Sequence, residues 1–278
     1  MKNYPLWQKA KELLQAQYYE AYQIVKDSSY HKAFVGEKIK HSLQVSGAGN
    51  GILAHEPYFQ DKPEEFIDIA RTAIVLHDIY RFKEVVGWFK NNEKIDHGIK
   101  GAEFLQKTKD FNDIRITLPI KHHGHMIEEL YNDPTFQNLD EKTKQEIKHI
   151  AFAVRDADKI ANWQLLAKDW DNMREVWLPE PNAFSDSQGK INQDLWQFFL
   201  RCEVSPNRLR STNADAAISI MCWLFDINYD YSIFYCQKLK LFDAWRTILE
   251  KLKVDNTQID IAFEVMRRFT TQKFKVQI

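Results

Sequence analysis

Apolar side chains recur at helical spacing along nearly the whole chain, and the strict alternation of half-buried strands is almost absent. The pattern predicts an all-α protein, interrupted by only 9 glycines and 8 prolines in 278 residues. A first helix is expected over residues 6–25, and a second from near residue 37 that carries His41, Leu43 and Val45 towards the glycine-rich stretch at 46–51. That stretch lacks the preceding strand and the glycine spacing of a nucleotide-binding loop, so a break or kink in the helix is expected there. Asp61-Lys62-Pro63-Glu64-Glu65 is a helix start, with proline and acids suited to a first turn. The apolar run that follows ends at His77-Asp78. A further helix is expected over 95–105, and Pro119 limits or kinks another that ends at His122-His123-Gly124-His125. A long helix should run from about 140 to 166, residues 178–189 read as a loop, a connector rather than a lid, and 216–225 and 242–252 are helical with aromatics in the core.

Helical phase then places candidate chemistry. Phe66, Ala70 and Ala73 fall within about 40° of His77, so the imidazole points where small side chains let helices approach, and Asp78 lies about 100° further round. On the long helix, Asp158 shares the stripe of Ile147, Ala151, Val154 and Leu165, whereas Asp156 faces the other way with Gln145 and His149. Burying a carboxylate costs several kcal/mol or more unless a cation compensates it. A divalent metal would do so. Any single histidine is more often held by a backbone carbonyl than by a metal, but His41, His77, Asp78 and Asp158 together occupy inward or helix-end positions on three helices. Nitrogen and oxygen ligands without thiolate favour Mn, Fe, Co, Ni or Zn over Mg.

Composition narrows the partners. A formal net charge of -1, with 44% hydrophobic residues, suggests neither a nucleic-acid nor an anionic membrane surface, which leaves a small substrate as the expectation. Cys202, Cys222 and Cys236 are odd in number and remote from the histidines, which argues against a disulfide framework or a thiolate zinc site. The N-terminus opens on an amphipathic pattern, and no run reaches the roughly 18 apolar residues of a membrane span. A soluble cytoplasmic protein is expected, with one all-helical domain over 1–278, a core at about 30–170 and a helical extension at about 190–278.

The order His41, His77-Asp78, Asp158 resembles that of the HD superfamily of metal-dependent phosphohydrolases. The matching context is Ala73-Ile74-Val75-Leu76-His77-Asp78-Ile79 with Arg81-Phe82, then Asp96-His97 with Gly101-Ala102, and Arg155-Asp156-Ala157-Asp158-Lys159. The resemblance implies an HD-like helical bundle with added C-terminal helices and makes Asp158 the last ligand. Some members hold two metals through extra histidines, whose places here are taken by His97 with His122 or His123. It further implies a phosphohydrolase that uses a metal-activated water on a nucleotide or other small phosphate ester, with Asp78 as bridging ligand. Arg81 and Lys159 are then candidates for binding phosphate, and Asp156 for positioning the water or leaving group. The alternatives are a di-iron oxygenase of the same fold, or a binding module that keeps its metal for structure. No Gly-Tyr-Pro motif follows the histidine pair and no synthetase-like domain is evident, which argues against cyclic di-GMP hydrolysis and bifunctional alarmone turnover.

Overall fold

Apolar positions at helical spacing fold as expected into a bundle, and the computed structural model describes residues 5–91, 95–171, 188–276 and 278. Among these there is no strand, and no helix is long and apolar enough to cross a membrane. The fold is all-α. The chain divides into two compact units, residues 1–158 and 159–278, where the sequence reading takes it as one domain with an extension. The division falls within a single long helix.

In the first unit α4 (Glu64–Leu76) is central, with almost every position from Phe66 to Leu76 buried. Three helices pack on it: α1 (Leu6–Val25), α2 (Ser29–His55) and α7 (Ile114–His122). Charge complementarity fixes one of these contacts, since the first two amides of α1, at Leu6 and Trp7, donate to the Asp68 carboxylate of α4 at 2.7 and 2.9 Å. The helix predicted from near residue 37 starts earlier, after Ser28, whose hydroxyl accepts from the His31 amide.

The expected break at residues 46–51 does not occur, and α2 continues through them to His55. Packing is the reason. A Cβ on Gly49 would lie 2.6 Å from Ile74 Cγ2, so the glycine lets α2 lie close on α4. Each interior glycine costs about 1 kcal/mol in helix propensity. The burial of Val45, Ala48, Ile52 and Leu53 on the same helix offsets it.

The unit is completed by α3 (Pro57–Gln60), α5 (Arg81–Asn91), α6 (His97–Gln106), α8 (Ile127–Tyr131), α9 (Pro134–Gln137) and α10 (Glu141–Lys168). The predicted stripe on α10 is buried, with Ile147 and Ala151 packed in one cluster with Leu118, Leu130 and Phe136. This cluster ties α10 to the end of the chain's histidine-rich segment.

The second unit contains α11 (Gln193–Leu200), α12 (Asn213–Met221), α13 (Asp230–Lys238), α14 (Leu241–Lys251) and α15 (Asn256–Phe274). Its core is aromatic: Trp163 packs on Trp245, and Phe199 joins Trp196 to Phe225. Asp215 and Thr212 close a reciprocal capping box at the start of α12. Of the predicted loop at 178–189, residues 178–187 lie outside the described residues.

Candidate metal centre

Two helix C-termini shape the centre by the same device. The last carbonyls of a helix lack amide partners. At the end of α4, His77 occupies the C-cap and donates from Nδ1 to the Ile74 carbonyl at 3.0 Å. At the end of α7, His123 occupies the C-cap and donates from Nδ1 to the Ile120 carbonyl at 2.7 Å. A carbonyl can only accept, so each ring carries its proton on Nδ1 and presents the Nε2 lone pair. Because α4 ends at Leu76, Asp78 lies in the turn beyond it, and the angular separation of a regular helix no longer keeps it from the direction of His77.

His97 is the first residue of α6, whose N-cap Asp96 accepts from the Ile99 amide at 2.9 Å. A Cβ on the next residue, Gly98, would stand 2.8 Å from the Lys121 carbonyl. Glycine there allows the start of α6 to meet the end of α7, with His97 Nε2 at 3.2 Å from His123 Nε2. His41 comes from the middle of α2, and its Nε2 lies 2.9 Å from Asp158 Oδ1 of α10.

Asp78 stands between two sets of ligands. Its Oδ2 lies 3.8 Å from His41 Nε2 and 3.7 Å from His77 Nε2. Its Oδ1 lies 3.2 Å from His97 Nε2 and 3.4 Å from His123 Nε2. Two groups able to hold an ion result, His41 with His77 and Asp158, and Asp78 with His97 and His123.

The chemistry of these donors fits a metal. His77 Nε2 and Asp78 Oδ1 are buried and have no hydrogen-bond partner among the described residues. Arg81 Nη2 donates to His97 Nε2 at 2.8 Å, which makes that nitrogen an acceptor too. Two imidazole nitrogens that carry no proton of their own, those of His97 and His123, and the Asp78 carboxylate therefore converge, an arrangement that suits a bound cation.

Protonation states agree with this. Burial pushes the His77 imidazole down to about 4, against the pull of Asp78 and Asp158. Burial, reinforced by the Arg81 charge, takes His97 down to about 3. Burial alone would raise the Asp78 carboxyl, but the Arg81 guanidinium and then His77 hold it well below the usual range. Asp158 is likewise held low against burial, chiefly by His41. At neutral pH His77 and His97 are neutral imidazoles and Asp78 and Asp158 are ionised carboxylates, the forms that bind metal.

Several neighbours were not singled out from sequence. Glu84 accepts from Arg81 Nη1 at 2.6 Å and so fixes the guanidinium whose Nε is 3.6 Å from Asp78 Oδ1. Lys38, one turn before His41 on α2, is buried; burial and the Arg81 charge push its ammonium down to about 7. Arg155 is buried on α10 and donates from Nη1 to the carbonyls of His122 and His123 at 3.2 and 3.1 Å and to that of His125. It thereby neutralises the end of the helix that carries the histidine pair. The available signals were the one-turn spacings, 38 to 41 and 81 to 84, and the position of Arg155 three residues before Asp158.

Other predicted residues lie elsewhere. His122 turns away from both groups, with Nε2 at 2.9 Å from Asp133 Oδ2. Lys159 pairs with Asp226 at 2.8 Å. Asp156 belongs to neither group and is fully buried, whereas Gln145, placed on the same face by helical phase, is exposed.

Residues 39–163 match the model of the HD domain family. The chain carries an HD domain. No curated protein and no solved structure matches it. The HD domain spans every member of both ligand groups, from His41 to Asp158. HD domains bind divalent metals and are generally those of metal-dependent phosphohydrolases, so the family and the His/Asp clusters point together to a metal-dependent hydrolase.

Proposed function

We propose that this HD domain holds two divalent transition-metal ions and hydrolyses a nucleotide or other small phosphate ester. The observation that carries the reading is the position of Asp78, with one carboxylate oxygen facing His41 and His77 and the other facing His97 and His123. One ion would be held by His41, His77, Asp78 and Asp158, the other by Asp78, His97 and His123. Bound there, Mn, Fe, Co, Ni or Zn supplies water activation at neutral pH and positive charge for the phosphoryl oxygens.

The protein's own groups do the rest. His41, His77, Asp78 and His123 side chains are at most 3% exposed, whereas His97, Asp158 and Arg81 are 14%, 21% and 23% exposed. Substrate therefore approaches over Arg81. Its guanidinium, held by Glu84, is already ordered for two-point binding of a phosphate, which lowers the entropy lost on binding. Lys38 adds a second basic group behind the ligands. Lys159, paired with Asp226, has less freedom to serve phosphate, and Arg81 is the stronger candidate.

A panel tests this reading. Metal-loaded protein is offered nucleoside phosphates, simple phosphomonoesters and phosphodiesters, while phosphate or alcohol release and dioxygen uptake are followed in parallel. Hydrolysis of at least one class without oxygen consumption is expected. Oxygen uptake with no ester cleavage would replace this reading with the oxygenase alternative, and inactivity across the panel with tightly held metal would favour a binding module.

A further inference from the structure

His122 is left over from the centre just described, and its surroundings have a pattern of their own. The ring is nine-tenths buried, and Nδ1 is fully enclosed with no hydrogen-bond partner among the described residues. Its Nε2 meets Asp133 Oδ2 at 2.9 Å. Burial would raise the Asp133 carboxyl, but Lys121 Nζ, at 2.6 Å from Oδ2, His122 and the Thr135 amide hold it well down. An ionised carboxylate can only accept, so the His122 proton sits on Nε2 and the Nδ1 lone pair points inward.

His125 repeats the arrangement one short turn later. Its Nε2 lies 2.9 Å from Asp96 Oδ2, while the Ile99 amide and His125 hold the Asp96 carboxyl below its ordinary value against burial. Its Nδ1 is buried, makes no hydrogen bond among the described residues, and lies 3.4 Å from Glu129 Oε2. The turn that carries both histidines is held by Arg155, which donates to the carbonyls of His122 and His125.

His122, His125 and Glu129 offer ligand atoms that all lie within 4.8 Å of one another. Each imidazole is backed by its own carboxylate, the arrangement that fixes tautomer and ring orientation in metal-ligating histidines. We infer that His122 Nδ1, His125 Nδ1 and Glu129 form a metal site separate from the HD centre, for a zinc-class divalent ion. Two nitrogens and one oxygen without thiolate suit that class, and three protein ligands leave a coordination position for water. None of the three belongs to the two ligand groups of the HD centre. The His125 and Glu129 side chains are 25% and 58% exposed, so the ion exchanges with solvent. The ordinary alternative, a protonated His125 bridging Asp96 and Glu129, leaves His122 Nδ1 buried and unanswered.

The test is equilibrium dialysis of the full chain against buffered Zn2+, with zinc per chain measured for wild type, His125→Ala and Glu129→Gln. Both substitutions replace partly exposed side chains outside the HD centre. His125→Ala is expected to lose one zinc equivalent, and Glu129→Gln to bind that equivalent at least ~10-fold more weakly. The remaining stoichiometry should not change, so the result is a difference that holds whatever number of ions the HD centre takes. Anomalous diffraction from zinc-soaked crystals should show a peak between His122, His125 and Glu129. Superimposable isotherms for all three proteins, or no anomalous peak at that position, would overturn the assignment.

Discussion

Replacing Asp78 by alanine is expected to remove both proposed ions and to lower the proposed hydrolysis at least ~10^4-fold, the largest effect expected of any single substitution. Both of its oxygens face histidine nitrogens, so among the described residues Asp78 is the carboxylate that reaches the histidines of both ligand groups. Without it, each remaining group loses its shared anion, and the second is left with two imidazoles and no carboxylate. The fold should suffer less than the activity, because Arg81 keeps its 2.6 Å bond to Glu84 when its carboxylate neighbour is removed. Elemental analysis of metal per chain, together with turnover of the best panel substrate, checks this. Wild-type occupancy in Asp78→Ala would remove the basis for the whole site.

His97→Ala separates the two halves of the centre. One ion should remain, held by His41, His77, Asp78 and Asp158, while hydrolysis falls at least ~100-fold because the second charge on the reacting phosphate is lost. His97 Nε2 also lies 2.8 Å from Arg81 Nη2, so the substitution opens space beside the guanidinium and should raise KM as well as lower kcat. A variant with two ions and an unchanged rate would make His97 a packing histidine.

Helix positions, and most of the side chains that the structure gathers into the two His/Asp groups, could be read from the chain because they depend on local pattern. The helix over 6–25 is found as expected, and so is the pairing of Asp158 with an inward face, since periodicity alone determines which side a residue takes. Packing between helices is a different matter. Gly49 looks like a helix breaker until Ile74 of a distant helix is placed against it. The choice between His122 and His123 could not be made from spacing, because the helix ends between them and the C-cap ring turns back to Ile120 while its neighbour turns to Asp133. Lys159 reads as a free cation beside a ligand, yet its partner Asp226 lies 67 residues further along (226 − 159) and no local rule pairs them. Lys38 and Glu84 were overlooked for the same reason: a lysine or glutamate on an amphipathic helix ordinarily faces water, and only the assembled bundle encloses Lys38 and draws Glu84 to Arg81.

On this proposal two ions, held on either side of Asp78, act together on a phosphate ester. This joint action is tested most directly by titrating metal-free protein carrying Glu129→Gln, which weakens the separate site, with Mn2+ while following both bound metal and hydrolysis. Activity is expected to stay near background through the first equivalent and to rise with the second. Full activity at one equivalent, or two bound equivalents with no hydrolysis of any ester in the panel, would contradict it.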